Sequence, residues 1–563
     1  MQTQLLAWNF DGNQRYRSSS SLQRKIDWTG AFWVASGVPA LVLFSMGAVA
    51  ASVGRPAWFV WTLSIMIGFV QSLIYAEMAG LFPNKAGGAS VYGALAWVRY
   101  SKLVAPVSVW CHWLAWSPVL AIGSGLLAGS ALTLLFPADA WINTWQWTLV
   151  DLNALKSGLT LRVNATFLLG ASILLSSFAI QHGGILRSAR TTMALAALGL
   201  LPLIVLALIP LFKQGINLDH FFPFVPLAHD AKGLIADGHW DMAGWTVLAG
   251  GLFVAAWSTY SMETAVSYTR EFEDPQRDTF KAALFIGLLC LFVFVMLPFA
   301  FQSYLGLGEG ASFTEIELSS GLGPTNHGGL LAPEIYSGIG VPSVLTAMIG
   351  GGIWVQRVIL VLLTLTLTLT IMTALSGSSR TLYQASVDGW LPHYLSRVNA
   401  NGAPVGAMMT DLVFNLLLLL MSDYVFVLAA SNVSYLIFNF LNLNACWIHR
   451  IDRAERIRPF KVSKILLSVG IFLSFFNLVL MGFGADLWGP GTLLTGAVFS
   501  ALIIPVFIYR HYVQDHGVFP KDAVDDMPQV AGEAAVAAAG VLPYLTLACG
   551  IAVVLVCYQL AVR

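Results

Sequence analysis

The sequence predicts an all-α polytopic membrane protein. Of its 563 residues, 57% are hydrophobic and only 10% are charged, whereas soluble domains carry roughly 25% charged residues. The apolar residues gather in long runs, and about 20 such residues form a helix that crosses a bilayer core. Both observations disfavour a soluble enzyme and a disordered scaffold. Lys and Arg together number 29, as do Asp and Glu, so we expect no nucleic-acid partner.

Apolar windows of about 20 residues give about thirteen spans. Their approximate limits are 31–53, 57–82, 104–134, 163–182, 191–212, 244–268, 279–301, 353–380, 404–422, 425–448, 464–485, 488–509 and 541–560. We divide the chain into an N-terminal arm at 1–28, a membrane domain of about twelve helices at 29–509, a linker at 510–540 and one further span at 541–563.

The distribution of positive charge predicts the orientation of these spans. With the N-terminus inside, 22 of the 29 Lys and Arg residues fall in cytoplasmic segments, as the positive-inside rule requires. Six of them lie between Arg450 and Lys464, whereas the Gly-rich segment 301–353 contains no Lys or Arg. We therefore expect a multi-pass protein of the plasma (cytoplasmic) membrane, with the arm and the linker in the cytoplasm and segment 301–353 outside.

Residues that weaken helices interrupt the first and sixth spans. Gly37 and Pro39 stand in the first, and Gly250-Gly251 precedes the polar run Trp257–Glu263 in the sixth. In transporters built from inverted five-helix repeats, such broken helices form the substrate site. We therefore predict a leucine-transporter-like 5+5 fold, with repeats at about 31–212 and 244–448 and about two to three extra C-terminal helices. For either break alone, a kink used for helix packing is the alternative.

Four sequence motifs occur in order between about residues 28 and 485. They are Ala35–Val38 in the first span; Glu77–Pro83, Lys85–Gly88 and Tyr92 after the second; Trp257–Glu263 and Arg270–Asp278 around the sixth; and Arg380, Asp388–Pro392 and Ala403–Pro404 after the eighth. The first, second and last resemble the motifs G-S-G-I, E-L-x-x-x-F-P-x-x-G-G-x-Y and R…D-G-x-L-P…T-P of the amino acid–polyamine–organocation (APC) superfamily. The third resembles the sixth helix of that superfamily and its tail, so the chain is similar to an amino acid permease.

The resemblance implies a site for an amino acid or an amine. The carboxylate would lie on backbone N–H groups of the first span, and the ammonium would face carbonyl groups of the sixth. The implied substrate contacts are Ser36, Gly37, Val38, Val254, Ala255, Trp257 and Ser258. Trp257 matches the aromatic residue that closes over the substrate, as a gate; an aromatic packing residue is the alternative.

Three residues are candidates for ion coupling. Glu263 is a carboxyl within a span and could exchange a proton, or could accept backbone N–H groups near the break. Hydroxyls of Thr373 and Ser376 could bind Na⁺, although such hydroxyls usually bond their own backbone. The fifth span, 191–212, lacks the Lys that some proton-coupled members of the superfamily have. The coupling ion is thus H⁺ or Na⁺, with no cofactor and no firm metal site expected.

Other ionisable residues within the spans include Glu77, His112 and Asp411. We expect Glu77 to position the loop that follows it, and His112 and Asp411 to be satisfied by neighbouring helices. The five cysteines form no CxxC pair and are expected to be small core residues.

These observations favour a secondary active transporter that moves an amino acid by alternating access and is coupled to an ion. The alternatives are an importer of polyamines or other organic amines, an amino acid exchanger, and a sensor with a transporter fold. No H-E-x-x-H, G-x-S-x-G or H-x-x-x-x-D motif supports a membrane-embedded enzyme, and no G-x-x-x-x-G-K-[ST] motif supports ATP-driven transport. The oligomeric state has no signature in the sequence.

Overall fold

A computed structural model describes residues 22–562 except 23, 138, 154–157, 214, 230–234, 309–328, 337, 521–522 and 524–538. Most of the N-terminal arm and of the 510–540 linker lies outside the described residues. Within them the chain is an all-α polytopic membrane protein, which confirms the predicted fold class. Among the described residues, eleven helices are long and apolar enough to cross a membrane, and two further apolar helices are shorter.

The described apolar helices agree in number with the predicted spans. In chain order they are α1 (Trp28–Val53), α2 (Ala57–Leu81), α3 (Val104–Leu135), α4 (Ala165–Gln181), α5 (Ile185–Lys213), α6 (Met242–Glu271), α7 (Pro275–Leu305), α8 (Ile353–Val387), α9 (Val405–Leu419), α10 (Tyr424–Asp452), α11 (Lys464–Trp488), α12 (Thr492–Gln514) and α13 (Leu542–Val562). Short α-helices span Ala89–Trp97, Trp141–Thr144, Pro333–Tyr336 and Val341–Ile349. Short 3₁₀ turns between helices span Leu218–His220, Gly329–Leu331 and His393–Ser396.

In the described part of the chain, two small antiparallel sheets lie between helices. Their strands are β1 (Gln146–Asp151), β2 (Thr160–Asn164), β3 (Leu227–His229) and β4 (Ile235–Asp237), paired β1–β2 and β3–β4. The β1–β2 hairpin lies on the turn between α9 and α10, where the Arg162 N–H donates to the Leu420 carbonyl at 2.8 Å. We call the end of the bundle that carries this hairpin the hairpin face.

Helix α8 contains the alternation of Leu and Thr that by itself resembles a strand. It is helical, and the hydroxyls of Thr364, Thr366 and Thr368 each donate to the carbonyl four residues earlier, at 2.7–2.8 Å. Their polar groups are thereby satisfied inside the helix, as an apolar surrounding requires. Helix α8 packs against α3 and against the middle of α1, at the centre of the bundle.

Candidate functional site

Helix α1 is interrupted halfway through the bundle. Its α-helical parts are Trp28–Ala35 and Val42–Val53, and Val38–Leu41 forms a 3₁₀ turn between them. Pro39 has no N–H to continue the α-helical ladder. A Cβ at Gly37 would lie 2.7 Å from the Leu369 carbonyl, so α8 approaches the break more closely than a side chain allows.

Hydroxyls of α8 hold the interruption of α1 in place. Thr370 donates to the Gly37 carbonyl and Thr373 donates to the Val34 carbonyl, both at 2.6 Å. Ser376 instead donates to the Gln181 side chain of α4 at 2.9 Å. The two candidate Na⁺ ligands, Thr373 and Ser376, therefore have different partners, and only the first one contacts α1.

Helix α6 is interrupted at the same level. Regular helix runs from Met242 to Ala255, a 3₁₀ turn spans Ala256–Thr259, and helix resumes at Tyr260–Ser267. The expectation that Gly250-Gly251 forms part of this break is wrong. Both glycines lie in regular helix, where Gly250 contacts Leu487 and Gly251 contacts Val53, so they serve close packing.

The carbonyl groups before the turn in α6 are bonded by side chains of other helices. Asn432 of α10 donates to the Val254 carbonyl, and Ser64 of α2 donates to the Ala255 carbonyl, both at 2.9 Å. The Ser258 hydroxyl lies 3.1 Å from the Ser64 hydroxyl. A carbonyl oxygen has two lone pairs, so these bonds from neighbouring helices do not by themselves exclude a further bond from a ligand.

A cavity of about 960 Å³ leads from the hairpin face to the two interruptions. The apolar part of its wall comes from α1, α3, α6, α10 and α11: Leu41, Phe44, Ala48, Val119, Ile122, Leu126, Val254, Trp257, Val425, Leu428 and Trp488. Its polar lining lies mainly near the mouth and includes Arg162, Asn164, Ser422 and Asp423. The volume and the lining suit a small molecule with an apolar part.

The structure places the predicted contact residues in two groups. Val254 and Trp257 line the cavity. Ser36, Gly37, Val38, Ala255 and Ser258 lie in or beside the two interruptions but are not among its lining residues. Trp257 is buried, with its ring centroid 5.7 Å from that of Trp61 and 5.4 Å from that of Phe294. It is therefore both a packing residue and part of the cavity wall.

Glu263 lies beyond this wall, away from the hairpin face. Its Oε1 accepts from the Tyr435 hydroxyl at 2.7 Å, and its Oε2 lies 3.8 Å from Nε2 of His112. Within the described part of the chain, neither Oε2 nor that Nε2 has a hydrogen-bond partner, and both side chains are 1% exposed. His112 is thus satisfied on Nδ1, by Ser90 and Thr381, but not on Nε2.

Buried ion pairs close the end of the bundle opposite the hairpin face, which we call the closed end. The pairs are Arg380–Glu271 at 2.5 and 3.0 Å, Lys85–Asp388 at 2.6 Å and Arg450–Glu77 at 2.5 and 2.8 Å. Glu77 also accepts from the Val462 N–H at 2.8 Å, so it positions the loop between α10 and α11 rather than the loop after its own helix. Burial and the Asp452 carboxylate raise the pKa of Tyr100, which lies beside these pairs.

Asp411 is satisfied by its neighbours, as expected. It accepts from the indole N–H of Trp113 at 2.6 Å and from the hydroxyls of Ser117 and Ser378 at 2.8 Å. Cysteines 111, 290, 446 and 557 are buried and Cys549 is exposed, and all five are free.

The sequence analysis did not single out the polar residues of α10. Asn432, Tyr435, Asn439 and Asn442 recur at intervals of three and four residues, which places them on one face of the helix. That face points to the interruption of α6 and to Glu263. Such a row of polar residues in an apolar span is a sequence signal that could have identified this face of α10 as functional.

Two interrupted helices beside a central cavity, in a bundle of apolar helices, define a class of membrane proteins that bind a small molecule within the membrane. The chain belongs to the amino acid permease family of the APC superfamily, whose profile matches residues 26–508. That family points to a transporter rather than an enzyme. A comparison with curated proteins finds no match.

Proposed function

We propose that the protein is a secondary active transporter that moves a neutral amino acid with a bulky apolar side chain by alternating access. One observation carries the proposal: the cavity opens at the hairpin face, reaches Val254 and Trp257, and ends there, while buried ion pairs hold the closed end. A site that is open to one side and sealed on the other is what one half of a transport cycle requires.

The two interruptions offer groups for both ends of a zwitterion. N–H groups in the turn at Ser36–Val38 are assigned to the carboxylate, and the carbonyl groups of Val254 and Ala255 to the ammonium. In the described state the Ser36 N–H donates to the Trp33 carbonyl at 3.4 Å, so it binds a carboxylate only after that bond is released. The apolar wall receives the side chain, with Trp257 against it as the gate. The interruptions in the first and sixth helices also support two inverted five-helix repeats, at about 31–212 and 244–448.

The charge of the cavity wall separates this substrate from the runner-up, a polyamine or another organic amine. Asp423 is the one carboxylate among the described lining residues, and it lies at the mouth with Arg162. A diamine would bring a second ammonium group into an apolar wall without a counter-charge, which is costly. An amino acid exchanger would use the same site and differs only in needing substrate on both sides.

Uptake into proteoliposomes tests the substrate. We expect saturable uptake of labelled L-phenylalanine or L-leucine. Either unlabelled amino acid should compete with this uptake, whereas L-glutamate, L-arginine and putrescine should not. Uptake of putrescine with none of either amino acid would contradict the proposal. Uptake that occurs only into vesicles preloaded with amino acid would identify an exchanger.

The positive charges support a cytoplasmic N-terminus in the plasma membrane, with the hairpin face outside. Arg380, Arg450 and Lys85 all lie at the closed end, the end that carries Trp28, and cytoplasmic loops are enriched in such residues. A tag at the N-terminus that is reached by a protease only after cells are made permeable would support this orientation. Cleavage in intact cells would contradict it.

A further inference from the structure

We propose that His112 and Glu263 together form a buried proton-binding site that couples transport to the pH gradient. The inference rests on the proposed transport function and names its driving ion. It starts from two facing atoms, Nε2 of His112 and Oε2 of Glu263, which lie 3.8 Å apart and have no hydrogen-bond partner among the described residues. Buried polar atoms are rarely left in this way without a reason.

The surroundings of Nδ1 fix the tautomer of His112. Nδ1 lies 3.1 Å from the Ser90 hydroxyl and 3.2 Å from the Thr381 hydroxyl. Each of these hydroxyls has the Gly87 carbonyl as an acceptor for its own proton, at 3.3 and 3.1 Å. They therefore accept from an N–H on Nδ1, and Nε2 of the neutral ring carries a lone pair toward Glu263.

A lone pair cannot stably face an ionised carboxylate in an apolar interior. The pair needs one added proton, placed on Oε2 or on Nε2, and it then has no net charge. Without that proton a single negative charge would remain buried, at a cost of several kcal/mol for an unpaired ion. While the closed end is shut, the pair therefore keeps its added proton. The proton can leave only after that end opens and water reaches the pair.

Among the described residues, the other charged groups near the pair are bonded elsewhere. The Tyr435 hydroxyl is bonded to Oε1 of Glu263 and the Tyr75 hydroxyl to Asn439. Other titratable and charged side chains on the surrounding helices and loop include Tyr92, Tyr260, Tyr268, Cys111, His449 bonded to the Tyr92 carbonyl, Arg380 with Glu271, Lys85 with Asp388, Arg450 with Glu77, and Asp411 with its three donors. The charged groups among them have their own partners, so the added proton belongs to His112 and Glu263.

The pair is connected to the cavity wall through aromatic rings. Tyr435, which bonds Glu263, has its ring 4.7 Å from that of Tyr260. Tyr260 in turn lies 6.5 Å from Trp257. A movement of Trp257 on substrate binding therefore reaches the hydroxyl that holds Glu263, through contiguous packed groups.

Three measurements in proteoliposomes separate this site from the transport function itself. The first uses the unmodified protein and labelled L-phenylalanine. With the pH one unit lower outside, one proton per substrate supports accumulation of about tenfold, because one pH unit is a tenfold ratio of proton activity. A pH-sensitive dye inside the vesicles should report acidification of the lumen that accompanies uptake. Uptake without accumulation and without acidification would overturn the coupling and leave the transport proposal intact, whereas no uptake of any amino acid would overturn both.

The second and third measurements use Glu263→Gln and His112→Gln. Gln at 263 is neutral like the protonated carboxyl, so the closed end stays stable, and labelled L-phenylalanine should still exchange against unlabelled L-phenylalanine at equal pH. Accumulation driven by the pH gradient should be lost in both variants. Asp411→Asn, in another buried carboxyl that three donors satisfy, should keep it. Gradient-driven accumulation at the unmodified level in either Gln variant would overturn the proposal.

Discussion

The two ends of the helix bundle differ, because one is open to a cavity and the other is closed by buried ion pairs. At the hairpin face, the cavity of about 960 Å³ opens between apolar walls, and the ion pair Arg55–Asp237 is 25% and 55% exposed. At the closed end, Arg380–Glu271 and Lys85–Asp388 are almost fully buried, at 4% exposure or less. Buried pairs are costly to break, whereas exposed ones contribute little. The comparison indicates that the described state is open to one side and that charges hold the other side shut.

The largest effect is expected at the interruption of α1. Gly37→Val would place side-chain atoms against the Leu369 carbonyl and the Thr373 hydroxyl, both 2.7 Å from the added Cβ. We expect no detectable amino acid uptake, because α1 must move away from α8. Gly352→Ala, at the start of α8 where a Cβ meets nothing within 4 Å, is the matched control. Normal uptake by the Gly37→Val variant would mean that the site lies elsewhere.

The next effect is on stability at the closed end. Glu271→Gln leaves the Arg380 guanidinium buried without its carboxylate, which costs about 3–5 kcal/mol. We expect a marked fall in the thermal unfolding temperature of the purified protein, together with entry of a water-soluble thiol reagent from the closed end. Stability equal to that of the unmodified protein would show that this pair does not hold the end shut.

Trp257→Ala is expected to have a smaller effect, on binding. The indole covers part of the cavity wall, and losing contact with a bulky apolar side chain costs about 1.5–3 kcal/mol, or roughly 10–150-fold in affinity. Equilibrium binding of L-phenylalanine measures the change, and Trp257→Phe should keep most of the affinity. An unchanged dissociation constant in Trp257→Ala would show that Trp257 only packs.

The smallest effect is expected at the exposed ion pair of the hairpin face. Asp237→Asn removes the exposed partner of Arg55 at the hairpin face. We expect a change of at most about 1 kcal/mol in the free energy of unfolding. If it destabilised the protein as much as Glu271→Gln does, the contrast between the ends would be lost.

The sequence predicted the positions of both interruptions because their causes are local. Pro39 and Gly37 weaken a helix wherever they stand, and Trp257–Glu263 brings polar groups into an apolar span. The contact between His112 and Glu263 could not be predicted in this way. It joins α3 to α6 across 151 positions of sequence and depends on how α10 packs between them. Gly250-Gly251 misled the prediction because glycine in a membrane helix also serves close packing between helices.

One measurement tests most directly whether the cavity is the substrate site. Leu428→Cys, in the half-buried wall of α10, would be made in a chain whose five native cysteines are replaced. We predict that a membrane-impermeant thiol reagent applied at the hairpin face modifies it, that L-phenylalanine slows the modification, and that Trp257→Ala removes this protection. Modification from the closed end alone, or at a rate that L-phenylalanine leaves unchanged, would contradict the account.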